Sequence, residues 1–157
     1  MSFLFQTFLI DGKNKRYAMI KIGNFEIEYD KNVPDAVTVK IETDKNGEVW
    51  LPKCDIARAY GVFVQSVNAG LKSLAKTGDF DEYRDVRVEH FTYNGKNCSV
   101  DLYSLATIIA LGFRMKGLKC EAFRKWAARR LAESFEKKKS TVILCMSGEK
   151  SKAKPLF

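Results

Sequence analysis

Glu48-Val-Trp-Leu-Pro-Lys-Cys-Asp-Ile-Ala-Arg-Ala-Tyr-Gly61, continued by Val62-Phe-Val-Gln-Ser-Val-Asn-Ala-Gly-Leu-Lys-Ser-Leu-Ala-Lys-Thr-Gly78, is where the chain changes period from two to about 3.6. Pro52 suits the first turn of a helix, where its missing N–H has no intrahelical partner. Cys54, Ile56, Ala57 and Tyr60 then fall on one helical face, and Gly61 can take the left-handed conformation that ends the helix. Val62 and Val64 flank a short turn. A second helix is expected from about Gln65, with Val67, Leu71 and Leu74 on its apolar face and its end near Gly78. Two short amphipathic helices joined by a Gly-containing turn make the helix-turn-helix pattern.

Upstream, residues 1–45 read as strands. Phe25-Glu-Ile-Glu-Tyr29 alternates apolar and acidic residues, the mark of a half-buried strand, and Gly23-Asn24 before it reads as a hairpin turn from a strand over residues 17–22. Residues 30–35 form a turn and Val37-Thr-Val-Lys-Ile41 a further strand. Asp44-Lys-Asn-Gly47 is a tight turn, with Glu48-Val-Trp-Leu51 its return strand. Residues 3–10 are apolar but lack a basic leader and a small-residue cleavage site, so they too are expected to be a strand.

Downstream, residues 79–85 read as an acidic turn. Val86-Arg-Val-Glu-His-Phe-Thr-Tyr93 and Cys98-Ser-Val-Asp-Leu-Tyr103 alternate around Asn94-Gly95, a strong hairpin signal at the place where a wing would sit. Ser104 is expected to cap a helix carrying Leu105, Ile108, Ile109 and Leu111, stopped by Gly112. The longest helix is expected at about residues 120–137, burying Phe123, Trp126 and Leu131 on a stripe that continues through Ala127 and Phe135. The expected fold is therefore α+β: an N-terminal antiparallel β meander, a winged helix-turn-helix-like centre and a C-terminal helical pair. The division read from the sequence is residues 1–45 (within the same domain or a small addition to it), 46–137, and a basic tail over 138–157.

Composition bounds the function. A 46% apolar content with 12% aromatics argues against disorder, and no apolar run approaches the length of a membrane span. Cys54, Cys98, Cys120 and Cys145 contain no close pair, so they read as ordinary thiols in a reducing compartment, the cytoplasm being the expected setting. The net charge of +8 is segregated: residues 114–157 hold thirteen Lys and Arg against four Glu, while the rest holds fourteen basic and fifteen acidic residues. A segregated basic segment points to a polyanionic partner, against the plain alternative of a solvated helix face with a basic tail.

With these elements in place, the chain resembles the RhuM virulence-protein family over about residues 37–137. The opening 48–62 stretch is similar to that family's V-W-L strand and "I-A-x-x-F/Y-x-V" helix, and Asn68, Lys72 and Thr77-Gly-Asp-Phe-Asp-Glu82 to its second helix and "E-G-E-L-D-E" turn. Asp101-Leu-Tyr-Ser-Leu-Ala-Thr-Ile-Ile-Ala-Leu-Gly-Phe-Arg-Met-Lys116 and Phe123-Arg-Lys-Trp-Ala127 resemble "Y-N-L-D-x-I-I-x-x-G-Y-R-V-K" and "F-R-x-W-A". Gly117 and Cys120 depart from the Ser and Gly usual there. The resemblance, with a weaker one to Bro-N and KilA-N phage domains, implies a phage or mobile-element origin and a DNA-associated role, as a regulator or antirepressor.

The expected contacts follow. Gln65, Ser66, Asn68 and Lys72 face outward from the second helix, where Gln and Asn can pair with adenine and Lys and Ser can reach phosphates. Arg114, Lys116, Lys119, Arg124, Arg129 and Arg130 form the denser basic set for phosphate contact, although Arg114 and Arg124 also suit fold-stabilising roles. Against base reading, residues 49–82 balance Lys53, Arg58, Lys72 and Lys76 with Asp55, Asp79, Asp81 and Glu82. That neutrality keeps open a second class of function, a module that binds a host protein and keeps the helix-turn-helix shape without DNA. The partner is otherwise duplex DNA, with a homodimer suiting paired half-sites and no membrane involved. His90 has no metal-ligand spacing around it. Pro34-Asp35 with Glu42-Thr-Asp-Lys45 resembles a nuclease motif off by one residue, and Asp44–Gly47 is explained as a turn. No catalytic residue, metal or cofactor is expected.

Overall fold

Alternation sets the first strand: in β1 (Asn24–Tyr29), Phe25 and Ile27 are buried while Glu26 and Glu28 face solvent. It pairs antiparallel with β2 (Val37–Glu42), from Asn24 opposite Glu42 to Tyr29 opposite Val37. The structure, a computed structural model, describes residues 20–33 and 36–138. The strand expected at residues 3–10, most of the one at 17–22, Pro34-Asp35, Cys145 and the basic tail past 138 lie outside these. Among the described residues the protein is α+β, with five helices and two small sheets and the antiparallel strands first in the chain. It divides into two units, Met1–Trp126 and Ala127–Phe157.

The first unit continues with β3 (Trp50–Pro52), α1 (Lys53–Tyr60), α2 (Val64–Thr77), α3 (Glu82–Asp85), β4 (Val86–Tyr93), β5 (Lys96–Ser104), α4 (Leu105–Arg114) and the opening turns of α5 (Leu118–Lys138). The second sheet has the order β3-β5-β4, all antiparallel, so α1 and α2 are inserted between its first strand and its hairpin. Asn94 (φ 49°) and Gly95 (φ 73°) make the two-residue turn of that hairpin, since both positions need positive φ.

Several local expectations are corrected by long-range pairing. Gly23-Asn24 is not a hairpin turn: Ile22 exchanges hydrogen bonds of 2.9 and 2.8 Å with Trp50, and Asn24 already lies in β1. Gly23 (φ 72°) lets the chain step between the sheets, where a Cβ would meet the Glu42 carbonyl at 2.5 Å. The 48–51 return does not fold back on β2. Asp44 closes its turn by accepting from the Asn46 and Glu48 N–H groups, and Trp50–Pro52 then pairs with β5 instead. On α1, Cys54 is exposed and Asp55 buried, because β1 covers the Asp55–Ala59 flank rather than the Cys54 side. Residues 79–85 are not all turn, for Asp81 caps the short helix α3 by accepting from the Tyr83 N–H.

Gly112 does not stop α4, which runs to Arg114. A Cβ there would lie 2.5 Å from the Phe123 ring and 2.7 Å from the Tyr60 hydroxyl, so the glycine admits close approach rather than ending the helix. Ser104 does cap α4, accepting from the Thr107 N–H. The core gathers around Phe123, whose ring lies 5.6–6.0 Å from those of Phe25, Tyr60, Phe113 and Trp126. Tyr60 donates to the Ile108 carbonyl at 2.7 Å, and burial pushes its hydroxyl pKa far up.

The described part of the second unit is the remainder of α5. Leu131, expected to be buried, is 60% exposed, and Phe135 is exposed as well. A single helix cannot enclose its own apolar stripe.

Candidate nucleic-acid interface

Helix α2 is held from beneath and at one end. Val67, Leu71 and Leu74 bury its inner face, and Gly70 brings it so near α4 that a Cβ would sit 2.7 Å from Leu111 Cδ2. At its C-terminal end Arg114 donates to Ser73 Oγ (3.3 Å), Thr77 Oγ1 (2.9 Å) and Asp79 Oδ2 (2.8 Å). The Thr77 hydroxyl, and then the Arg114 guanidinium, hold the Asp79 carboxyl below its ordinary pKa. Gly61 (φ 62°) and Gly78 (φ 78°) close α1 and α2 as left-handed caps.

The outer face of α2 carries Gln65, Ala69, Lys72 and Lys76, all exposed and spaced four, three and four residues apart, one helical stripe. No Asp or Glu occurs anywhere in Val64–Thr77. Of the four acids that balance this region in sequence, Glu82 is exposed at the start of α3 and the other three are engaged away from this face. Asp55 is buried on α1 and bonded to Arg58 at 2.9 Å, Asp79 is tied to Arg114, and Asp81 caps α3. Ser66 and Asn68 are half-buried beside the stripe.

The basic residues anticipated for phosphate contact separate into distinct roles. Arg114 is the tether just described. Arg124 donates from one nitrogen to the Gly112 and Met115 carbonyls, both at 3.0 Å, capping the end of α4. These two guanidinium groups are committed to protein acceptors. Lys116 is exposed, whereas Lys119 is half-buried with its stem 3.4 Å from where a Gly61 Cβ would stand. Arg129 and Arg130 are exposed on the second unit's stretch of α5, with Arg130 3.6 Å from Glu133. On the hairpin, Lys96 is exposed beside the Asn94-Gly95 turn, and His90, Thr92 and Asn97 are exposed on one face.

Two features escaped the sequence reading. Phe63, at the N-cap of α2, is 82% exposed and makes no capping hydrogen bond with its side chain. The available signal is a phenylalanine where Ser, Thr, Asp or Asn would normally begin a helix. The second is the buried Asp85, which accepts from Ser104 Oγ (3.0 Å), the Asp81 N–H (3.0 Å) and Arg84 (2.9 Å), tying the start of β4 to the start of α4. Burial pushes its pKa up, but the donors outweigh burial and hold it below the ordinary value.

A cavity of about 270 Å³ lies by β1 and α1, lined among others by Lys21, Glu26, Glu28, Asp55, Arg58 and Lys119. Burial raises the Asp55 pKa against the pull of Lys21 and Arg58, and its Oδ2 accepts no hydrogen bond. Three carboxylates against three cations leave the lining neutral, so it selects no ligand charge. Glu42 is exposed on β2, and no group of His, Cys, Asp or Glu able to hold a metal occurs among the described residues. Among them, too, no helix is long and apolar enough to cross a membrane. No family model, curated protein or solved structure matches the chain.

Proposed function

We propose that this chain is a non-catalytic protein that binds duplex DNA, with β3, α1, α2, β4 and β5 acting as a winged helix-turn-helix. In this reading α2 enters the major groove, Lys72 and Lys76 meet phosphates, and Gln65 reaches base edges with Ser66 and Asn68 beside it. The hairpin is the wing and brings Lys96 to the backbone, while Lys116 adds a further phosphate contact. Arg114 acts as a positioning residue that fixes the angle of α2. The observation that carries the reading is the acid-free outer stripe Gln65, Ala69, Lys72 and Lys76. The strand order β3-β5-β4, with the hairpin following the second helix, supports it. The resemblance to RhuM proteins suggests the setting: a regulator or antirepressor of a phage or mobile element.

A second reading, a module that binds a host protein, is favoured by the exposed Phe113 (51%) and Leu118 (58%). Salt separates the two. With roughly four lysine–phosphate contacts, affinity for a random labelled duplex falls on the order of a hundredfold between about 50 and 200 mM salt. Absence of binding at the low end, or binding indifferent to salt, contradicts the DNA reading and favours the protein-binding module.

A further inference from the structure

Resting on the DNA reading above, we infer that Phe63 is a specificity-determining residue that packs on a thymine methyl group while Gln65 pairs with a neighbouring adenine, so that the preferred duplex carries an A·T step under the start of α2. Phe63 has no evident structural task. At 82% exposure its ring adds little to the core, and at the N-cap it cannot accept the hydrogen bonds that a Ser or Asp there would accept. The backbone begins the helix unaided, with the Ser66 N–H donating to the Phe63 carbonyl at 2.9 Å. A large apolar side chain is thus held on a helical start that a polar residue would stabilise better.

The position of the ring gives it a use. Phe63 immediately precedes α2, Gln65 follows two residues on, and the exposed stripe continues through Ala69 to Lys72 and Lys76 without an acid. In helix-turn-helix docking the first residues of the second helix are those that meet base edges. A phenyl ring can make no hydrogen bond to a base, and in the major groove the apolar group on offer is the thymine C5-methyl. A glutamine amide matches N6 and N7 of adenine in two parallel hydrogen bonds. The two side chains therefore select the same base pair type by independent chemistry, and the lysines supply the sequence-independent attraction.

The test uses the full chain, a Phe63→Ser variant and a Phe63→Leu variant, each checked for folding by circular dichroism. A random duplex library is bound and sequenced. The recovered pool is then copied with either thymine or uracil, which lacks the methyl, and the two copies compete for protein. The wild type enriches A·T steps and prefers the thymine copy by about fourfold per methyl contacted, the value of burying one methylene-sized group. Phe63→Ser keeps the salt dependence of the wild type, gains thermal stability from its new cap, and drops the thymine-to-uracil ratio to near one. Phe63→Leu retains a preference. If wild type and Phe63→Ser bind with the same ratio, or the enriched pool lacks A·T steps, the inference fails while DNA binding stands. If the wild type retains neither copy at low salt, the DNA reading fails and this inference with it.

Discussion

Phe123→Ala lowers the unfolding free energy by about 3–5 kcal/mol, the range for deleting a buried phenylalanine, seen as a shift of the denaturant midpoint. The upper part of that range is expected because the site cannot collapse. Phe123 is 1% exposed and is ringed by Phe25 from β1, Tyr60 from α1, Phe113 from α4 and Trp126 from its own helix. Facing it is Gly112, which has no side chain to move into the space. Tyr60 is held in place by its bond to the Ile108 carbonyl. The residue thus joins β1 to α1 and α4, the helices that pack against α2. A loss below about 1.5 kcal/mol, the scale of a single methyl deletion, would mean that this cluster is not the centre of the core.

Lys72→Glu with Lys76→Glu weakens duplex binding roughly a hundredfold near 100 mM salt and lowers the slope of log affinity against log salt by about two, one for each phosphate no longer neutralised. Each lysine–phosphate pair is worth about eightfold at that salt on counterion release alone, and the reversed charges add repulsion. Neither lysine has an acidic partner among the described residues, and Glu is as good a helix former as Lys, so the fold is expected to be unchanged. Lys31→Glu with Lys45→Glu alters net charge equally on exposed turns away from α2 and serves as the control. Equal losses in both variants would assign binding to overall charge and not to the face of α2.

The elements that were legible in the sequence are those whose signals are local. Alternation in Phe25-Glu-Ile-Glu marked β1, the spacing of Val67, Leu71 and Leu74 marked α2, Asn94-Gly95 marked the hairpin, and Ser104 marked the start of α4. What escaped depends on partners far along the chain. Nothing near Trp50 says that it pairs with Ser104, and nothing near Cys54 says that β1 will cover the other flank of α1. Gly112 carries the usual signature of a helix end, yet it serves as a contact point for a ring eleven residues further on. The candidate interface divides in the same way. Gln65 and Lys72 could be placed on an outer face by helical period, whereas the tether of Arg114 to residues 35–41 positions away could not. Charge counts over residues 49–82 likewise do not register that Asp55 is buried and Asp79 engaged.

The central claim is that the outer face of α2 meets DNA, and an NMR titration of the isotope-labelled full chain with a short random-sequence duplex tests it most directly. The account predicts that the amides of residues 63–76 and of the hairpin tip at 93–96 shift together and saturably, with the buried-core amides of β1 unmoved. Shifts confined to β1 and β2, or a spectrum unchanged at low salt, would contradict it.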